Sequence, residues 1–132
     1  MGKITSSPQL KLMEVINMYT ELIIGGEVFK LKLTTRASIQ LEKALGYNPI
    51  TMLMDIDSGK MPKLMDVIII LQACLQTYHH NYTLDKTMDL FDRYVEDGKS
   101  MFDLIPVFIE VFQQSGYINK SDSSDEEDAE KN

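Results

Sequence analysis

The spacing of apolar positions changes early in this chain. Phe29, Leu31 and Leu33 alternate with Val28, Lys30 and Lys32, the period of two that marks a half-buried strand. Upstream, Glu21-Leu22-Ile23-Ile24 runs into Gly25-Gly26, a pair that supplies the positive φ angles of a two-residue hairpin turn. This predicts an antiparallel hairpin, strands 21–24 and 27–33, with Leu22 opposite Phe29 on a shared buried face. A two-stranded ribbon is marginal in water by itself, so helices must cover it.

After the hairpin the period becomes helical. Ala37, Leu41, Ala44 and Leu45 form one stripe between a Thr34 or Thr35 N-cap and a Gly46 C-cap. That helix is expected to pack under the hairpin, leaving Arg36, Gln40 and Lys43 on its polar face. Asn48-Pro49 restarts the chain as a short helix over 49–55, with proline in the first turn, and 57–60 reads as a loop. Residues 63–78 are the most apolar stretch. Leu64, Val67, Ile68, Leu71, Leu75 and Tyr78 keep helical spacing, and Ile69, Ile70 and Ala73 widen the apolar surface. A helix apolar on most sides is a central one. A Thr83 cap opens a helix over 84–95 with the stripe Leu84, Met88, Phe91 and Val95. Ser100 opens the last, with Leu104, Ile105, Phe108, Val111 and Phe112, and Gly116 closes it. Pro106 lies close enough to the start to be tolerated, or it kinks the helix. The fold class is mainly α with a small N-terminal β-hairpin, a compact bundle of four to five helices.

Composition divides the chain further. It has 132 residues and a formal net charge of −7. Residues 119–132 hold six Asp/Glu and two Lys, leaving −3 for the rest. With no large apolar side chain and mutually repelling charges, that segment cannot offset the entropy cost of ordering and reads as disordered. Residues 1–18 read as a flexible leader and residues 19–118 as one globular domain. The acidic balance lacks the basic stripe a nucleic-acid surface needs. No apolar run approaches the roughly 20 residues that cross a bilayer.

Candidate chemistry is sparse. His79-His80 precede Asp85, Asp89 and Asp92, a faint metal pattern, but adjacent histidines on a helix diverge by about 100°. Asp55 and Asp57 start like a calcium loop, yet the twelfth position is Asp66 and no closing glutamate follows. Cys74 is the only cysteine and sits among apolar neighbours, as an inert thiol does. No catalytic, cofactor-binding or metal residues are assigned, and no cofactor is expected. Methionine is the stronger signal. Of nine, Met52, Met54, Met61 and Met65 flank one loop, and flexible thioethers suit surfaces that adapt to apolar partners. These four are the candidate partner-binding residues.

Residues 19–50, YTELIIGGEVFKLKLTTRASIQLEKALGYNPI, resemble the opening of tail assembly chaperones from long-tailed bacteriophages and prophages of Gram-positive bacteria. The resemblance lies in the I-G-G-x-x-[FY]-x-L-x-L-T-T hairpin, the L-E-x-x-L-G helix end and the Asn-Pro that follows. Residues 61–85, MPKLMDVIIILQACLQTYHHNYTLD, resemble the central helix of that family and its polar turn. The resemblance implies a non-enzymatic protein of the host bacterial cytoplasm, the shorter product of a frameshifted gene pair. Its implied partners are the tape measure protein, which it keeps soluble, and the tail tube protein, which it helps recruit. Homo-oligomers through the hairpin edges are a further expectation. The rival readings are a minor virion or head–tail connector protein, and a small metal-dependent hydrolase using His79, His80 and Asp85.

Overall fold

A computed structural model of the protein describes residues 19–119. The leader, and all of the acidic segment except Asn119, lie outside the described residues. Two strands, β1 (Thr20–Ile24) and β2 (Glu27–Leu31), precede five helices: α1 (Thr35–Leu45), α2 (Pro49–Asp57), α3 (Leu64–Leu75), α4 (Leu84–Glu96) and α5 (Met101–Ser115). This is the expected mainly helical α+β fold.

The hairpin follows from its turn. Gly25 and Gly26 adopt φ of 59° and 80°, the left-handed pair that matches the twist of two-residue hairpins. The resulting register sets Leu22 against Phe29, and both are buried, as are Ile24 and Leu31. The second strand ends at Leu31, two residues before the alternating pattern does. There the chain turns its backbone to α3, with the Lys32 N–H donating to the Cys74 carbonyl at 2.9 Å. That bond satisfies a carbonyl in the last turn of α3, which the helix itself leaves unpaired. The Lys30 N–H donates to His79 Nε2 at 3.1 Å. The outer edge of β2 is therefore largely covered. On β1 the outward-facing groups of Glu21 and Ile23 meet no partner among the described residues, so among those residues the open edge of the hairpin is β1.

Side chains start most of the helices as their sequences predict. Thr34, Asn48, Thr83 and Ser100 each accept a backbone N–H in the first turn, and Ser100 and Asp103 complete a capping box. Gly46 and Gly116 end α1 and α5 at φ of 84° and 94°. Pro106 lies inside α5, which runs on to Ser115. α3 stops at Leu75, earlier than the apolar pattern suggests. Gln72 and Gln76 then hold the loop after it, both donating to the Tyr82 carbonyl, at 3.2 and 2.7 Å.

α3 is the centre of the molecule. Val67, Ile68, Ile70, Leu71, Ala73, Cys74 and Leu75 are buried on it, and it packs against α1, α4, α5 and β2. Leu104, Phe108, Val111 and Phe112 of α5 complete the core beneath the hairpin. The stripe of α1 was expected under the hairpin, but α1 packs chiefly on α3, while β1 lies on α4 and α5. Only Ser38 and Leu41 of α1 are buried. Two ties explain the placement. Tyr117, after α5, donates its hydroxyl to Glu42 at 2.7 Å, and Tyr47, after α1, donates to Asp66 of α3 at 2.7 Å. Among the described residues, no helix is long and apolar enough to cross a membrane.

Candidate functional site

The four candidate methionines do not share one place. Met52 is only 3% exposed and belongs to the core, which corrects its assignment to a contact surface. Met54, two positions on, is 64% exposed, because two residues on a helix lie about 200° apart. Met61 is exposed beside a recess lined by Tyr47, Asp55 and Asp66, and the buried Met52 reaches that recess from beneath. Met65, at 46% exposure, lies on α3 in a different and more apolar setting.

That setting is a groove between α3 and α4. Leu64, Met65 and Ile68 form one wall, and Met88, Phe91 and Asp92 the other, around about 340 Å³. Leu64 is half exposed, while Ile68 at the bottom is buried. Each wall contributes one thioether, so the lining can change shape at little cost.

The groove exists because α4 is rotated from its expected orientation. Leu84, Met88, Phe91 and Val95 were expected to face the core. The buried residues are instead Thr87, Leu90 and Tyr94. Thr87, Leu90 and Tyr94 each precede one of that stripe, a turn of about 100° about the helix axis. Thr87 buries without an orphaned hydroxyl because it donates to the Thr83 carbonyl at 2.8 Å. The expected core stripe is left partly open, with Val95 48% exposed. Sequence reasoning thus missed Met88 and Phe91, both partly buried, as residues that line a groove. The available signal was Leu90 and Tyr94, a second apolar row beside the first.

The histidines are engaged structurally. His79 Nε2 accepts the Lys30 N–H, and its ring lies 5.3 Å from Phe29 and 6.2 Å from Tyr82, centroid to centroid. Partial burial lowers its pKa below the ordinary imidazole value, Glu27 opposes this, and His80 and Lys30 add to it. His80 Nδ1 lies 3.1 Å from the Gln76 carbonyl, to which it donates. Asp85 stands in the first turn of α4, where a carboxylate favours the helix dipole. Among the described residues, no three His, Cys, Asp or Glu side chains are grouped to hold a metal ion. Cys74 is fully buried, which pushes its thiol pKa up and keeps it protonated.

Opposite the groove, α4 clamps the hairpin tip. Asp97 accepts the Gly25 N–H. Arg93 donates to the Ile24 carbonyl at 3.4 Å and pairs with Glu27 at 3.3 Å. The face of α4 that holds the fold is thus distinct from the face that lines the groove.

Residues 16–130 match a family model whose description is "Family of unknown function (DUF6096)". Comparison with curated proteins and with solved structures yields no match.

Proposed function

The chain belongs to the family of unknown function DUF6096, and we propose that it acts as a phage tail assembly chaperone, a non-enzymatic binder of another polypeptide. The observation that carries this reading is the α3–α4 groove. It is an open apolar channel between two helices, of the kind that receives an amphipathic helix, and both walls are adaptable. The resemblance in the hairpin and in residues 61–85 adds the client, the tape measure protein. The protein keeps that long helical chain soluble in the bacterial cytoplasm and helps bring tail tube subunits to it. Self-association, where it occurs, uses the open β1 edge at Glu21 and Ile23.

Co-expression with the tape measure protein of the same genome tests the reading. The native chain is expected to keep that protein in the soluble fraction. Met65→Asp with Met88→Asp, at an unchanged melting temperature, is expected to lose that effect. Full solubilisation by the folded double variant would overturn the groove as the contact. Recovery of the chain in stoichiometric amount from purified virions would favour a structural virion protein instead.

A further inference from the structure

We infer that the segment this groove receives is a basic amphipathic helix, one whose apolar stripe is bordered by Lys and Arg; this rests on the reading of the groove as a polypeptide site. The argument comes from the order of rows around α4. Met88 and Phe91 line the groove, in one helical row with Leu84 and Val95. Asp85, Asp89, Asp92 and Glu96 each stand one position later, all exposed, and so form a second row about 100° further round. The acids therefore follow one exposed side of α4, next to the row that lines the groove, for about 17 Å, the length of three helical turns. Asp92 reaches the lining itself.

Among the described residues, none of these four acids is in an ion pair, although Lys86 and Arg93 share a recess with Asp89 on the neighbouring face of α4. Among the described residues, the ion pair on α4 is Arg93 with Glu27, and Arg93 points to the hairpin. The α3 wall of the groove contributes Leu64, Met65 and Ile68 and no charge. A helix lying on Met65, Met88 and Phe91 would bring its flanking residues against the rail. Lysine or arginine there meets an opposite charge at every turn. Glutamate or aspartate there meets a like charge. Each exposed contact is weak, but three or four act together and amount to about a tenfold preference.

The test uses the full chain and two synthetic peptides of about 18 residues. Both carry leucine at i, i+3, i+4 and i+7. One has lysine flanks, the other glutamate. Binding is read by fluorescence anisotropy at low and high salt. The lysine peptide is expected to bind about tenfold tighter at low salt, with the advantage shrinking as salt screens the rail. Asp89→Asn with Asp92→Asn and Glu96→Gln is expected to abolish that advantage. Asp85 stays unchanged in the variant because it supports the first turn of α4. Phe91→Ser is expected to weaken both peptides. An advantage that survives the rail variant would belong to the acids of residues 122–130 and would overturn the inference. Equal binding of both peptides would also overturn it, while leaving the groove as a helix site. Binding of neither peptide would remove the groove and the inference together. A dimer in light scattering that Phe91→Ser dissociates would put a second copy there and overturn it as well.

Discussion

His79 shows how one residue can look like chemistry and serve architecture. Its Nε2 must be unprotonated to accept the Lys30 N–H, and partial burial favours the same neutral state. The unfolded chain keeps its imidazole proton up to pH about 6.5, and the folded chain releases it at a lower pH. Between those values unfolding takes up a proton, so stability rises with pH across that window. The contribution is complete above the ordinary imidazole pKa and is lost as pH falls through the folded value. The urea midpoint is therefore expected to drop between pH about 7.5 and about 5.5, with a smaller drop in His79→Gln. Gly25 carries a second residue-scale prediction. A Cβ there would meet Arg93 Nη2 at 2.9 Å, whereas one on Gly26 would meet nothing within 4 Å. Both substitutions to alanine force a left-handed backbone, at about 1–2 kcal/mol. Gly25→Ala is expected to cost slightly more, since the Arg93 guanidinium must shift, straining its contacts with Ile24 and Glu27. In an Arg93→Ala background the two costs should converge, which chemical denaturation measures.

At the scale of elements, most helices are specified at their ends. Ser100 accepts the Phe102 N–H, and Asp103 accepts the Ser100 N–H at 2.7 Å. Ser100→Ala is expected to lower stability by about 1 kcal/mol, read as a shift in denaturant midpoint at constant slope. α2 offers a sharper contrast. Met52→Asp would put an unpaired charge into the core and is expected to unfold the protein. Met54→Asp, on the exposed side, is expected to leave the melting temperature nearly unchanged. The capping residues were legible in the sequence because caps act within three or four positions. The facing of α4 was not, since two adjacent rows, Leu84-Met88-Phe91-Val95 and Leu90-Tyr94, compete for the core. The rotation that wins also aims Arg93 and Asp97 at the hairpin turn, a contact between residues about seventy positions apart.

At the scale of the whole molecule, α3 and α5 carry the structure. Phe108 and Phe112 are fully buried, so truncating either one removes core contacts and leaves a cavity. Phe108→Ala is expected to cost about 3–5 kcal/mol, a large share of the roughly 5–15 kcal/mol that holds a domain folded. Phe102→Ala, at a position 43% exposed, is expected to cost far less, and thermal unfolding of the pair would show it. The same arrangement divides the surface by task. α4 turns one face to the hairpin tip and another to the open groove, so substitutions in the groove can be separated from substitutions in the scaffold.

Local chemistry determined much of this protein from the sequence alone. The Gly25-Gly26 turn, the pairing of Leu22 with Phe29, the caps and the central apolar helix all depend on neighbours a few positions apart. Periodicity and turn preference act over that same range. Tertiary structure alone decided which apolar row faces inward and which stays open. It buried Met52 while exposing Met54, drew α1 onto α3 rather than the hairpin, and gave His79 a strand edge to cover. Those outcomes depend on which surfaces fill the remaining volume at close packing, and a one-dimensional pattern holds no record of that competition.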